Sequence, residues 1–357
     1  MAPAIDIFVP DAFPDTNSVG RATSMMAKGL LASGEFVRVT ARWKSAEFGW
    51  EPPTDIPTLT CGVYDRRQKK EMTRWLWMKS AALFAVACWM RIVSSNAKCT
   101  IFYGASPLYL PAAITARLLG RKIAFAQYDL YRPTAADSRV KQRAAAIYAR
   151  IERFLARSSR LLVVSESQLL IDHFSALAPG ISVFPNWPPT DSRFFAGGSR
   201  KRGRDLASVA NDAEMIVYTG AINRLEGVDF LIRAMKEVVA ARPSAQLVLA
   251  GAVIGDIVEG AAPDYHNMPR DLGIERNVKF LGTVSKEDVR DLLAASDCLA
   301  MPKRDHPGNE AASPIKLGEY LASGRPVVAS RVCGIERWLQ DRQSIMLCAP
   351  GGIHDLA

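Results

Sequence analysis

Short apolar runs alternate with longer amphipathic segments along the first half of the chain. Runs of strand length, several of them rich in β-branched residues, occupy residues 5–9, 36–40, 99–103, 121–127 and 161–165. Segments with apolar residues at helical spacing occupy residues 20–31, 107–119 and 138–158, whereas residues 41–65 are predicted to be irregular. This order of strand, helix and strand predicts right-handed βαβ units around a parallel sheet.

The second half restarts the same alternation after a segment rich in Pro, Gly and Arg. We interpret that segment, which includes SRKRGR at residues 199–204, as a linker. Predicted strands follow at residues 214–219, 245–251, 277–281, 297–301 and 326–330, and predicted helices at 228–241, 286–295 and 313–323. The chain is 357 residues long, a length typical of two domains. We therefore predict an α/β protein with two Rossmann-like domains, residues 1–190 and 191–357.

Composition narrows the class of partner. The net charge of +9 favours an anionic partner, such as a phosphate-bearing substrate, an anionic membrane or a nucleic acid. A nucleic acid is not expected, because the basic run at 199–204 has no interleaved aromatic residues. The six cysteines lack CxxC spacing, which predicts reduced thiols and a cytoplasmic protein. The N-terminus has no charged region typical of a signal peptide, so we interpret it as the first strand.

Residues 66–93 combine basic residues with tryptophans. The uncharged run at 80–90 is 11 residues long, shorter than the about 18–20 residues that span a bilayer. Trp75, Trp77 and Trp89 beside basic residues fit a helix that lies in a membrane interface, as does an arginine-rich edge on the predicted helix 138–158. The alternative is a buried domain helix with a solvated basic start.

A candidate anion site lies in the stretch SPIKLGEYLASGRPVVAS, residues 313–330. Ser313 can cap the predicted helix, and Pro314 suits its first turn. Lys316 and Glu319 are three residues apart and therefore share one helix face. The unpaired N–H groups of a first helical turn favour a bound anion.

This stretch resembles the donor-binding motif of glycosyltransferase family 4, whose members have the GT-B architecture. The resemblance implies that Glu319 binds the ribose of a nucleotide, and that Ser313, Pro314, Lys316 and Leu317 lie at its diphosphate. The alternative interpretation is that Lys316 and Glu319 form a solvated pair on the helix surface.

Residues 218–234 resemble the first loop of the family's donor domain. The resemblance implies that Gly220 and Arg224 lie at the diphosphate. The family usually has a lysine where this chain has Glu226, so Lys316 is expected to carry more of the phosphate charge.

The resemblance also implies residues near the reacting sugar. Gly20 lies where the family has a glycine-bearing loop that faces the cleft. Asp129 follows a predicted strand, where open α/β sheets place ligand groups, although a turn or cap role is equally compatible. Many family members have an acidic residue eight positions before the helix glutamate; here that position is Ala311, and Glu310 is one residue away. Asp129 and Glu310 are therefore the candidate catalytic residues.

As a whole, the resemblance implies a GT-B protein whose two domains face an interdomain cleft. The second domain would bind a nucleotide sugar and the first a sugar or lipid-linked acceptor, for retaining transfer in polysaccharide or glycolipid assembly. No carboxylate pair typical of a metal site stands out, so neither a metal nor another cofactor is expected. The expected location is the cytoplasm, at the inner face of the membrane.

Two alternatives remain open. The departures at Glu226 and Ala311, and a C-terminus that comes early for a GT-B protein, fit a truncated or catalytically impaired protein that binds nucleotide sugars. A nucleotide-sugar epimerase of the same architecture is the second. A dinucleotide dehydrogenase is disfavoured, because the GxGxxG fingerprint is missing after both opening strands.

Overall fold

The computed structural model describes residues 4–13, 18–45, 56–61, 63–64, 74–128, 139–164, 166–186, 190–255, 261–312 and 314–357. It divides the chain into two compact units. The first contains residues 1–189 with 311–313, and the second contains residues 190–310 with 314–357.

The first unit is built around a parallel sheet. Its described strands are β1 (Ala4–Phe13), β2 (Phe36–Ser45), β3 (Thr58–Thr60), β4 (Val63–Tyr64), β5 (Cys99–Tyr103), β6 (Ile123–Gln127), β7 (Leu161–Val164) and β8 (Ser182–Pro185). They follow the order β3-β2-β1-β5-β6-β7-β8, with β4 paired to β2. The helices are α1 (Ser18–Ala32), α2 (Arg74–Ser94), α3 (Leu110–Leu118), α4 (Arg139–Ser158) and α5 (Gln168–Leu177). Phe8, Phe102 and Phe125 are buried in the core between sheet and helices.

The second unit repeats this architecture with a smaller parallel sheet. Its described strands are β9 (Met215–Thr219), β10 (Gln246–Ala250), β11 (Val278–Gly282), β12 (Cys298–Met301), β13 (Val327–Ser330) and β14 (Met346–Cys348). They follow the order β11-β10-β9-β12-β13-β14. The helices are α6 (Ser192–Ala196), α7 (Arg200–Ala207), α8 (Val228–Ala241), α9 (Met268–Asp271), α10 (Lys286–Ala295), α11 (Pro307–Glu310), α12 (Ile315–Ala322) and α13 (Ile353–Leu356). The predicted fold class, two Rossmann-like α/β units with parallel sheets, is confirmed.

Two predictions about local structure are wrong. Residues 41–65 are not wholly irregular, because β2 continues to Ser45 and two short strands pair with it. The basic run at 199–204 begins helix α7 instead of forming a linker, and its Arg204 is 2% exposed. The Arg204 guanidinium donates to Ala213 O (2.9 Å) and to Asp297 Oδ2 (2.7 Å), so partners distant in sequence make its burial possible.

Helix α2 has features of both interpretations made from the sequence, a helix in a membrane interface and a buried domain helix. One face packs into the core of the first unit through Phe84, Cys88 and Ile92. The other face exposes Trp75, Trp77, Met78, Val86, Trp89, Met90 and Val93. Among the described helices, α2 included, none combines the length and the hydropathy that crossing a bilayer requires.

The strand order of the second unit reverses between β9 and β12. The chain leaves β9 towards β10 on one side, whereas β12 pairs with β9 on its other side. Open α/β sheets bind ligands at the carboxyl ends of strands where the order reverses in this way. The carboxyl ends of β9 and β12 are followed directly by Gly220 and Pro302.

Candidate functional site

Glycines bring three backbone segments close together at the carboxyl edge of the second sheet. Gly220 follows β9 with φ of +128°, and Gly251 follows β10 with φ of +157°. A Cβ atom on Gly251 would lie 1.8 Å from Gly220 O, and one on Gly227 would lie 1.7 Å from Pro302 O. Only glycine fits such approaches between backbones. The loop from 220 to 227 is therefore held against the ends of both neighbouring strands.

Two lysines converge on one glutamate at this edge. Lys316, in the first turn of α12, donates from Nζ to Glu226 Oε2 (2.6 Å) and to Tyr218 Oη (3.0 Å). Lys303, which follows β12, donates from Nζ to Glu226 Oε1 (2.8 Å). The three side chains together carry one net positive charge. The Lys316 ammonium also lies beside the backbone of Gly220, where an added Cβ would be 2.9 Å from it.

The two lysines keep Glu226 ionised. Burial disfavours its charged form, but the positive charges of Lys316 and Lys303 and their hydrogen bonds outweigh this effect and lower its pKa to about 2. Burial and the nearby Glu226 charge raise the pKa of Tyr218 well above its usual value, so the phenol stays protonated. Its hydroxyl donates to Ala221 O (2.6 Å) and thereby fixes the start of the loop.

The segment that follows β12 is hydrogen-bonded to the loop from 220 to 227. Asn309 accepts from Lys303 Nζ (3.0 Å) and donates to Leu225 O (2.9 Å). Arg304 donates from Nε to Arg224 O (3.1 Å) and from Nη2 to Asp229 Oδ2 (2.8 Å). These bonds fix the backbone at Arg224 and Leu225, so the lysine–glutamate cluster is pre-organised.

The interpretation of Lys316 and Glu319 as a solvated pair is wrong. The described ion-pair partner of Lys316 is Glu226, and Glu319 is only 4% exposed. The next residue, Tyr320, is fully buried, and its hydroxyl accepts from Thr219 N (2.9 Å) at the end of β9. Helix α12 is therefore joined to β9 at the same edge that carries Gly220.

The remaining donor-site candidates differ in position. Pro314 lies directly before α12, and Leu317 is buried, with its amide donating to Pro314 O (3.0 Å). Leu317 therefore contributes core packing beneath the site. Arg224 lies in the loop and is half-buried. Ser313 lies outside the described residues.

The candidates near the reacting sugar are not brought together by described contacts. Asp129 lies outside the described residues. Gly20 is buried in the first turn of α1, which begins at Ser18, and so belongs to the helix instead of the loop. Glu310 ends α11; burial, together with the negative charges of Asp305 and Glu336, raises its pKa. Ala311 is buried with the core of the first unit, where an ionised side chain would be costly.

Lys303 and Asn309 are the residues that sequence reasoning missed. Lys303 is almost fully buried, yet its charge is matched by Glu226. Its place two residues after a central strand was the available signal, because carboxyl ends of strands carry ligand groups. Among the residues that the structure describes, no group of three or more His, Cys, Asp or Glu side chains could hold a metal ion.

The second half of the chain matches a known family in sequence. Residues 213–357 match the family model "Glycosyl transferases group 1". A D-inositol 3-phosphate glycosyltransferase from Corynebacterium aurimucosum is 29% identical over 215 residues, which cover 58% of this chain and 49% of that protein. The chain thus matches about half the length of this curated relative.

Solved structures share the fold over nearly the whole chain. The Anabaena protein HepE, in complex with UDP, has a TM-score of 0.70 at 18% identity and covers 99% of this chain and 87% of its own. WaaG, a glycosyltransferase involved in lipopolysaccharide biosynthesis, has a TM-score of 0.65 at 18% identity, with 98% and 89% covered. A UDP-GlcNAc 2-epimerase from Methanocaldococcus jannaschii is more distant, with a TM-score of 0.58 at 10% identity and coverage of 99% and 90%.

The sequence match and the fold agree with each other. The match covers most of the unit that carries the lysine–glutamate cluster, and the structural likeness extends over both units. The protein therefore resembles the family 4 glycosyltransferases: residues 213–357 match the glycosyl transferases group 1 model, and the chain has the GT-B fold.

Proposed function

We propose that the protein transfers a glycosyl group from a nucleoside-diphosphate sugar to a sugar or lipid-linked acceptor, with retention of the anomeric configuration. The reaction would serve polysaccharide or glycolipid assembly on the cytoplasmic side of a membrane. The second unit would bind the donor and the first unit the acceptor. No metal or other cofactor is required in this proposal.

The observation that carries the proposal is the position of Lys316. Its ammonium lies beside Gly220 at the carboxyl end of β9, in the first turn of α12. A lysine, a helix N-terminus and a glycine backbone together suit a diphosphate. HepE was crystallised with UDP, which supports UDP as the first nucleotide to test.

The proposed chemistry needs charge stabilisation at the leaving group. The bond between C1 of the sugar and the β-phosphate oxygen breaks, and its electron pair leaves with the nucleoside diphosphate. The acceptor hydroxyl oxygen forms the new bond to C1, and its proton passes to the departing diphosphate. Lys316 would stabilise the charge that develops on the phosphate. Glu319 would hold the ribose, and Asp129 and Glu310 would lie near the reacting sugar.

Glu319→Gln tests the donor site. A hydrogen bond to a charged group contributes roughly 1.5–3 kcal/mol, so we expect UDP affinity to fall by about 10-fold to 100-fold. Isothermal titration with UDP, performed in EDTA, measures this loss and also shows whether binding persists without a divalent metal.

Glu287→Gln is the matched control, because Glu287 is exposed in the first turn of α10. Its UDP affinity should equal that of the parent. If the Glu319→Gln protein keeps its unfolding temperature and binds UDP as tightly as the parent, the donor-site assignment is wrong.

Turnover separates the proposed transferase from its alternatives. A transferase releases UDP from UDP-sugars in proportion to added acceptor, whereas an epimerase converts the donor sugar with no acceptor present. A protein that only binds nucleotide sugars shows affinity without either reaction.

We also propose that the first unit binds anionic membranes peripherally. The support is the exposed apolar face of α2 and the adjoining helix α3, which exposes Ile114 and Leu118 and is followed by the exposed Leu119. Lys79 and Arg91 on α2 flank this face, and basic residues at 66–70 lie outside the described part of the chain. Each basic residue near an anionic surface contributes about 1 kcal/mol.

Cosedimentation with vesicles tests the membrane proposal. Binding to phosphatidylserine-containing vesicles should fall steeply with salt, and Trp75→Ser should weaken it. Trp338→Ser is the control, because Trp338 is comparably exposed (54% against 67%) but lies in the second unit. Equal binding to neutral vesicles, or equal effects of the two substitutions, would contradict the proposal.

A further inference from the structure

Three neighbouring strands of the first unit end in polar side chains at one edge of the sheet. Tyr128 directly follows β6, Glu166 comes two residues after β7, and Asn186 directly follows β8. The three strands are consecutive neighbours in the parallel sheet. Asn186 donates from Nδ2 to Tyr128 Oη (3.2 Å) and from its backbone amide to Val164 O (2.8 Å), so the ends of β6 and β8 meet beside the end of β7.

Glu166 is buried at this edge without a hydrogen-bond partner for its inner oxygen. It is 8% exposed, and within the described residues Oε2 is inaccessible to solvent and forms no hydrogen bond. Buried polar side chains in folded proteins are almost always hydrogen-bonded, because an unpaired one costs free energy. The unit therefore retains an unfavourable carboxyl group at the carboxyl edge of its sheet, the edge along which open α/β sheets bind ligands.

A second glutamate of the same unit shows what a structural carboxylate looks like here. Glu152 on α4 is also 8% exposed, but its Oε2 lies 2.9 Å from His173 Nε2 on α5. Burial is equal, but only Glu152 has a hydrogen-bond partner for its Oε2 within the described residues, which indicates that Glu166 is not retained for pairing inside the unit.

We propose that Glu166 is an acceptor-binding residue, which hydrogen-bonds a hydroxyl group of an uncharged polyhydroxyl acceptor at the carboxyl edge of the first sheet. This inference rests on the proposed glycosyl transfer and assigns part of its acceptor site. A hydroxyl group supplies the missing hydrogen bond, whereas a phosphate placed there would be repelled by an ionised carboxylate. The hydrogen-bonded Tyr128 and Asn186 would border the same ligand.

Replacing a carboxyl group that is kept for ligand binding should stabilise the folded protein, whereas replacing a carboxyl group that is paired inside the fold should destabilise it. Burial raises the pKa of Glu166 to about 7, from an ordinary value of 4.5. The unfolded chain therefore loses the Glu166 proton at a lower pH than the folded protein does. As pH rises between these two values, Glu166 lowers the free energy of unfolding progressively. Above about pH 7 this loss of stability stays constant. Glu166→Gln should therefore raise the unfolding temperature at pH 8 by several degrees, and have little effect at pH 4.

Glu152→Gln is the matched control and should lower the unfolding temperature, because it removes the negative charge beside His173. If Glu166→Gln also lowers the unfolding temperature at pH 8, its side chain has a structural role and the proposal fails.

Ligand binding supplies the decisive readout. The probes are methyl glycosides of glucose, galactose and mannose, titrated into the full chain saturated with UDP and followed by saturation-transfer NMR. We expect at least one probe to bind the parent and the Glu152→Gln protein, and to bind Glu166→Gln at least about 10-fold more weakly. The proposal is overturned if no probe binds the parent, or if Glu166→Gln binds the probes as the parent does.

UDP titration without glycoside separates this proposal from the proposed function. Glu166→Gln should bind UDP with unchanged affinity, because Glu166 belongs to the first unit. UDP binding with no difference between the proteins towards glycosides would overturn the role of Glu166 alone. Failure of the parent to bind UDP would instead overturn the proposed donor site.

Discussion

Gly227→Ala should destabilise the second unit by about 4 kcal/mol or more, and should abolish measurable UDP binding. Gly227 has φ of +74°, which costs an alanine roughly 1–2 kcal/mol. The added Cβ would also lie 1.7 Å from Pro302 O. Because that obstacle is backbone, the loop and the strand end must separate, which moves Glu226 away from Lys303. Urea unfolding and UDP titration measure the two effects.

Gly273→Ala is a close control for the conformational part of this effect. Gly273 belongs to the same unit and has the same φ of +74°, but a Cβ there would meet nothing within 4 Å. It should lose only the roughly 1–2 kcal/mol of left-handed strain and keep UDP affinity. Equal destabilisation by the two substitutions would show that the close backbone approach does not constrain the loop.

Lys316→Ala should reduce the affinity for UDP by about 10-fold to 100-fold, with a much smaller effect on uridine. The ammonium is proposed to bind the diphosphate, which uridine lacks. The substitution also removes one of the two cations that face Glu226, although Lys303 remains paired with it. We therefore expect a moderate loss of stability, on the order of 1–3 kcal/mol, and not complete unfolding.

Two comparisons make this prediction specific. Lys236→Ala removes the same charge from an exposed position on α8, and should leave UDP affinity nearly unchanged. Titrations of UDP and uridine with each variant distinguish a local phosphate contact from a general change in charge. Equal losses of affinity for UDP and uridine would contradict a contact between Lys316 and the diphosphate.

The sequence alone determined the architecture, because strand and helix periods are local properties. The apolar spacing predicted helices at 228–241 and 286–295, and the structure places α8 and α10 at those residues. The parallel sheets follow from the same alternation, since helical crossovers connect parallel strands. The motif at 313–330 likewise combines a helix start, a glycine end and a buried strand within one continuous stretch, so neighbouring residues were enough to indicate it.

Only the tertiary structure decided how the charged residues pair. Glu226 was interpreted from sequence as a missing phosphate ligand, yet it binds Lys303 and Lys316, which lie 77 and 90 positions away. Strand order brings those side chains together, and hydrophobic periodicity does not encode strand order. A local sequence pattern does not show burial either. Arg204 belongs to a basic run typical of a solvated segment, but its side chain is buried and is hydrogen-bonded to Asp297. Within the described residues Glu166 is buried without a partner for its inner oxygen, a property that depends on every element packed around it and not on the neighbouring sequence.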